Sequence, residues 1–126
     1  MSSPKESPSV VGTYEYVLED REGMCIMTET HAIWLWSKKG RKPFQGEQPT
    51  DTEKAAAFDS SFASVSTYKF VGPSRITVHR LFSTNPNQIG KEFTFEYEFE
   101  GELQKFWVLQ PDGSRGPMGA ARRLRK

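Results

Sequence analysis

The chain has little of what several large protein classes require. It has a single cysteine, so no disulfide can form within it. No apolar run reaches the ~18 residues of a membrane span, and residues 1–9 lack the apolar core of a secretion signal. The net charge of +1 creates no overall field that would attract nucleic acid or a membrane surface. We therefore expect a cytoplasmic protein that binds neither nucleic acid nor membranes.

Several motifs that carry chemistry are also missing. The sequence contains no Gly-x-Ser-x-Gly nucleophile turn, no phosphate-binding glycine loop and no carboxylate-rich metal loop. It has two histidines, whereas tetrahedral zinc sites recruit three or four histidine or cysteine ligands. We predict no metal and no cofactor, with a haem held by a single histidine as the alternative left open.

The length of 126 residues fits one domain. Folding of such a chain removes roughly two thirds of its surface from water, which allows a core without disulfides. Residues 1–9 are rich in serine, proline and charge and are expected to form a flexible tail. We predict a single domain over residues 10–126, as a monomer or a homodimer.

The most informative segment spans residues 92–100, where aromatic side chains occupy every second position: Phe93, Phe95, Tyr97 and Phe99. Polar and mostly acidic residues fill the positions between them. A period of two predicts a β-strand with one dry face, as found in antiparallel sheets with one side in water. Because only one helix is available to cover the dry face, we expect the sheet to curl onto itself as a small barrel that encloses a cavity.

Short strands in close succession are expected elsewhere, at residues 10–19, 24–36, 64–71, 75–83, 102–110 and 115–125. The long second strand is a candidate for bending into two. A helix is predicted near residues 51–62, because Thr50 and Glu53 have the spacing of a capping box and Phe58 and Phe62 lie one turn apart. This pattern is typical of an all-β sandwich or barrel.

The hairpin after the aromatic strand can form in two registers. A two-residue loop at Glu100 and Gly101 sets Phe95 opposite Phe106. A three-residue loop with a glycine bulge instead turns Lys105 inward and places three apolar residues on the aromatic face: Leu103, Trp107 and Leu109. We favour the three-residue loop because it gathers more apolar area.

Gly12-Thr13-Tyr14 resembles a Gly-x-Trp motif, with tyrosine in place of tryptophan. Gly-x-Trp is the signature of the lipocalin barrels, and the chain resembles the lipocalin-like domain proteins of the calycin superfamily. Later segments follow in the family's order: Thr28 to His31, the helix start at Thr50 and Glu53, Ile76 to His79, Asn85-Pro86, and Glu100 to Leu103.

The resemblance implies an up-and-down antiparallel barrel of about eight strands, with a lumen for a hydrophobic small molecule. It also implies that a basic residue of the last strand packs over the signature aromatic residue. Arg122 or Arg123 would then form a cation–π contact with Tyr14.

The candidate catalytic residues are the polar groups that would face the lumen: Glu29, His31, Tyr68, Tyr97 and Lys105. Glu29 and His31 share a face, and a carboxylate beside an imidazole can support general acid or base chemistry. The alternative is a polar patch on the barrel exterior.

The candidate ligand-binding residues are aromatic side chains that could form pocket walls, together with one histidine: Tyr14, Tyr16, Trp34, Trp36, His79, Phe93, Phe95 and Trp107. In the strand of residues 75–83, Ile76, Val78 and Phe82 form the expected buried set. Arg80 lies on that same face, and His79 would then face solvent.

The expected function is binding of a hydrophobic or aromatic small molecule in the barrel lumen. The alternative is a cofactor-independent enzyme of the isomerase, cyclase or dehydratase type, acting on a hydrophobic metabolite of secondary metabolism. A third possibility is an interaction domain whose core is filled and has no cavity.

Overall fold

A computed structural model describes residues 9–124, which form a closed antiparallel barrel of eight strands. The strands are β1 (Gly12–Tyr16), β2 (Arg21–Met27), β3 (His31–Lys38), β4 (Ser61–Gly72), β5 (Arg75–Ser83), β6 (Glu92–Glu100), β7 (Leu103–Leu109) and β8 (Arg115–Arg123). Each strand pairs with the next, and β8 pairs with β1, so no sheet edge is left open. The predicted all-β, up-and-down barrel is confirmed.

The predicted long second strand is two strands, β2 and β3. The Thr28 hydroxyl accepts hydrogen bonds from the backbone N–H groups of Thr30 and His31, at 3.2 and 2.9 Å. Such local side-chain bonds compete with a sheet ladder and favour a turn. The turn sets Cys25 opposite Trp34. The odd-numbered residues of β2 and the even-numbered residues of β3 therefore share the inner face of the barrel.

The predicted helix is present as α1 (Asp51–Asp59), and its capping box is formed. The Thr50 hydroxyl accepts from the Glu53 N–H at 3.1 Å, and the Glu53 carboxylate accepts from the Thr50 N–H at 2.9 Å. The helix ends before the predicted residue 62 because β4 begins at Ser61. Phe62 therefore belongs to the sheet, whereas Phe58 is 57% exposed on the helix.

The favoured register of the β6–β7 hairpin was wrong. A two-residue loop of Gly101 and Glu102 joins the strands, with Glu100 opposite Leu103. Phe95 is opposite Val108 and not Phe106, so the alternative register is not formed either. Lys105 and Trp107 therefore face outward, one residue away from the inner positions. An inward Lys105 would bury a charge, and that cost outweighs the apolar area that the favoured register gathers.

The barrel end that carries the β2–β3, β4–β5 and β6–β7 turns is closed by packing. Tyr14 is fully buried, and its hydroxyl donates to the Val10 carbonyl at 2.8 Å. The Arg123 guanidinium lies 5.1 Å from the centre of the Tyr14 ring, so the expected basic residue is Arg123. Of the predicted tail, residues 1–8 lie outside the described part of the chain, and the tail stays a prediction.

Candidate functional site: a pocket in the barrel lumen

A pocket of about 380 Å³ opens at the other end of the barrel. This end carries the β1–β2, β3–β4, β5–β6 and β7–β8 connections, because successive antiparallel strands alternate in direction. The volume lies within the range of about 300–1,000 Å³ that small-molecule sites occupy. All eight strands contribute residues to its walls, as expected for the lumen of a small closed barrel.

The walls are predominantly aromatic: Trp34, Trp36, Phe62, Phe93, Phe95 and Phe106 all line the pocket. Ring centres are 5.3 Å apart for Trp34 and Phe95, and 5.9 Å apart for Trp36 and Phe62. These separations are typical of aromatic pairs. The rings therefore support one another and present a continuous apolar wall.

Gly119 on β8 makes room for one of these rings. It lies opposite Phe106 in the β7–β8 ladder. A Cβ atom at Gly119 would lie 2.4 Å from the Phe106 ring, which is closer than any real contact. Glycine at this position therefore lets the ring lie against the β8 backbone.

One charged side chain, Arg80, lies deep in this aromatic lining and is 5% exposed. Its Nη1 donates to the Gln88 side-chain oxygen at 2.9 Å, while its Nε has no hydrogen-bond partner. The guanidinium lies 4.9 Å from the centre of the Phe93 ring and 5.7 Å from that of Trp34. Burial lowers the pKa of Arg80, but an arginine stays charged in proteins.

Buried serine hydroxyls lie on and beside this strand. Ser66 is opposite Arg80 in the β4–β5 ladder, and Ser64 is opposite Ser83. All three serines are buried, and the hydroxyls of Ser64 and Ser66 have no hydrogen-bond partner. The Ser83 hydroxyl donates to the Gln88 side-chain oxygen at 3.3 Å. These serines and Arg80 therefore form a buried polar segment on β4 and β5, of which Arg80 lines the pocket.

The prediction that Phe82 is buried was wrong, because a register shift interrupts the β4–β5 ladder. Val65 is opposite Phe82, but the next residue, Ser66, is opposite Arg80. The extra residue on β5 reverses the alternation beyond that point. Phe82 is consequently 52% exposed and Ser83 is buried.

A second arginine, Arg21, lines the pocket. Its guanidinium lies 4.6 Å from the centre of the Trp36 ring, and it forms an ion pair with Asp20 at 3.6 Å. The described residues that line the pocket include Arg21 and Arg80 but no aspartate or glutamate. The pocket is therefore positively charged as well as aromatic.

Three of the candidate catalytic residues lie on the outside of the barrel. Glu29 is exposed in the β2–β3 turn. His31 is on the outer face of β3, where its Nδ1 lies 2.7 Å from the Thr30 hydroxyl. Lys105 forms an ion pair with Glu100. The turn after β2 and the observed hairpin register place these groups outside, so they do not meet in the lumen.

Tyr68 and Tyr97 face the interior but belong to the closed end. The Tyr68 hydroxyl donates to the Thr28 carbonyl at 2.6 Å. Tyr97 is 5% exposed and packs against Phe99, with ring centres 5.9 Å apart. Burial raises the pKa of both hydroxyls. Neither tyrosine is among the residues that line the pocket.

The candidate ligand-binding residues divide into two groups. The members that line the pocket are Tyr16, Trp34, Trp36, Phe93 and Phe95. Burial raises the pKa of Tyr16.

The other candidates lie elsewhere. Tyr14 is part of the packed end. His79 faces outward, with its Nδ1 3.6 Å from the Glu92 carboxylate. Trp107 is also on the outer face, and the Arg115 guanidinium lies 3.8 Å from the centre of its ring.

Alternation alone could have identified Arg80, which shares the inner face of β5 with Ile76 and Val78. Its charge argues against a position in the lumen, because an arginine without a carboxylate partner is rarely buried. No sequence pattern indicates that Gln88 lines the pocket. Its position depends on the turn Pro86–Gln88, which folds back over β5.

No family model matches the chain, and no curated protein matches it either. The closed barrel of eight antiparallel strands with one short helix is consistent with a lipocalin-like, or calycin, fold. Within residues 9–124, no helix has the length and apolar character needed to cross a membrane.

Proposed function

We propose that this protein is a lipocalin-like barrel that binds a hydrophobic or aromatic small molecule in its lumen. The observation that carries this proposal is the aromatic pocket of about 380 Å³, open at one end of the barrel. Pockets that bind small molecules are concave and mostly apolar, with a few polar groups that fix orientation. The lumen has that composition, with Arg80 and Gln88 among its polar groups.

The contrast between the two barrel ends supports a pocket rather than a filled core. At the closed end, the space between Val10, Cys25 and Tyr97 amounts to about 20 Å³, which holds no organic ligand. The open end is also lined by bulky aromatic side chains and still leaves the pocket of about 380 Å³. The interaction domain with a solid core is therefore the less favoured interpretation.

Binding is also better supported than the enzyme alternative. Glu29, His31 and Lys105 are on the exterior, and the described residues that line the pocket include no histidine or carboxylate. An enzyme in this pocket would depend on Tyr16 and Arg80 for proton transfer or polarisation. Cytoplasmic location and the monomeric or homodimeric state remain predictions from the sequence.

The proposal can be tested with N-phenyl-1-naphthylamine, a neutral aromatic probe whose fluorescence rises in apolar surroundings. We expect saturable binding of one probe per chain. Trp36→Ala removes a pocket wall and should weaken binding about 5- to 30-fold, since an aromatic contact contributes roughly 1–2 kcal/mol.

Trp107→Ala is the matched control, because Trp107 lies on the outer face beneath Arg115. It should leave the probe affinity within about twofold of the wild type. The proposal fails if the folded wild-type protein does not bind the probe. It also fails if both tryptophan variants weaken binding equally.

A further inference from the structure

Arg80 is a buried charge without a compensating carboxylate. No ion pair involves it within residues 9–124, and its contacts there are the Gln88 side-chain oxygen and three aromatic rings. Burying a charge is costly unless it is paired and hydrogen-bonded. Contacts with aromatic faces recover only part of that cost. The site is therefore electrostatically incomplete.

The existing contacts hold the Arg80 guanidinium in place but do not satisfy all of its hydrogen-bond donors. Gln88 accepts from Arg80 Nη1 and from the Ser83 hydroxyl with the same amide oxygen. Arg80 Nε is left without an acceptor. On the adjacent strand, the hydroxyls of Ser64 and Ser66 also have no partner. Several buried polar groups on β4 and β5 thus have unused hydrogen-bonding capacity.

The net charge of the pocket lining also favours an anionic group. Arg21 is a second cation in the lining, and the lining includes no aspartate or glutamate among the described residues. Asp20 offsets part of the Arg21 charge, with 3.6 Å between them, but it does not line the pocket. An anionic group that enters from the open end would therefore be attracted toward Arg80.

We propose that the ligand is an amphipathic organic acid whose carboxylate accepts hydrogen bonds from Arg80 while its apolar body packs against the aromatic walls. This inference rests on the proposed function. A planar carboxylate matches the planar guanidinium and can accept two of its N–H groups. It supplies both the charge and the acceptor that the pocket lacks.

A matched pair of probes tests the proposal. 2-Naphthaleneacetate and 2-naphthaleneethanol share one ring system and differ in the carboxylate or hydroxyl at the end of the side chain. Each is used to displace N-phenyl-1-naphthylamine from the wild-type protein. The carboxylate should compete at about 10- to 100-fold lower concentration than the alcohol, as expected for a hydrogen bond between charged groups.

Three variants test whether Arg80 causes the preference for the carboxylate over the alcohol. Arg80→Met keeps an unbranched side chain without the guanidinium and should reduce the carboxylate preference to about twofold or less. Arg80→Lys keeps the charge without the planar fork and should retain an intermediate preference. Arg75→Met is the control, because Arg75 is on the outer side of the same strand and pairs with Glu96. It should retain the full preference.

The outcomes separate this inference from the proposed function. If the neutral probe does not bind, the proposed function fails. If the probe binds but the acid and the alcohol compete equally, the inference is overturned and the binding function stands. A carboxylate preference that persists in Arg80→Met also overturns it. If Arg80→Met does not fold, Arg80→Lys decides, because an unchanged preference there contradicts recognition by the guanidinium.

Discussion

Replacement of Arg123 by methionine should destabilise the protein by opening the packed end of the barrel. Arg123 Nη1 donates to the Val11 carbonyl at 2.9 Å, and Nη2 donates to the Ser9 carbonyl at 2.6 Å. Its guanidinium also lies over the Tyr14 ring. These contacts hold the chain entering β1 across the barrel end.

The expected loss follows from these contacts. Hydrogen bonds to charged groups contribute about 1.5–3 kcal/mol each, and the lower value applies because the Arg123 side chain is 23% exposed. Two such bonds and a weak cation–π contact give about 3.5 kcal/mol. For a domain of this size, that corresponds to a fall in Tm of roughly 10 °C.

Arg122→Met is the matched control, since Arg122 is the exposed neighbour on the outer face of β8. It should change the free energy of unfolding by less than about 0.5 kcal/mol. Urea unfolding followed by tryptophan fluorescence measures both variants. Equal stability of the two variants would refute the role given to Arg123. Because the pocket opens at the opposite end, Arg123→Met should bind N-phenyl-1-naphthylamine as the wild type does.

Two further predictions concern packing and pH. Gly23→Ala should cost about 3 kcal/mol of unfolding free energy, because its Cβ would lie 2.0 Å from the Leu35 carbonyl oxygen. Gly46→Ala is the control, since the nearest atom to its Cβ would be 3.9 Å away. Similar melting temperatures of the two variants would contradict the prediction. Burial raises the pKa of Cys25 from 9.0 to about 12, so above pH 9 the unfolded chain releases a proton that the folded protein keeps. Cys25 should therefore lower the stability by up to about 1.4 kcal/mol per pH unit between pH 9 and 10. Buried tyrosines, whose pKa values are also raised, contribute to the same slope. Cys25→Ala should therefore make the slope measured by urea unfolding shallower, and an unchanged slope would exclude Cys25 as one of its sources.

Local patterns in the sequence predicted most of the fold. The alternation of Phe93, Phe95, Tyr97 and Phe99 identified an inner face that the structure confirms. The capping box at Thr50 and the packing of Arg123 on Tyr14 were also predictable. Each depends on residues close in sequence or, for the last, on the resemblance to a known barrel.

The candidate site was harder to predict because single residues reverse the direction of side chains. The Thr28 turn splits one apolar run into two strands and leaves His31 outside. The extra residue on β5, between Arg80 and Phe82, likewise turns Phe82 outward and Ser83 inward. A period of two carries no record of such interruptions, so a predicted face is correct only as far as the next turn or bulge.

The most direct test of the central claim is the location of the bound neutral probe by NMR. In a sample with labelled phenylalanine, N-phenyl-1-naphthylamine should show intermolecular NOEs to the rings of Phe93, Phe95 and Phe106, which line the pocket. NOEs confined to the exposed rings of Phe58, Phe70 and Phe82 would place the probe on the outer surface. That result would contradict a ligand site in the lumen.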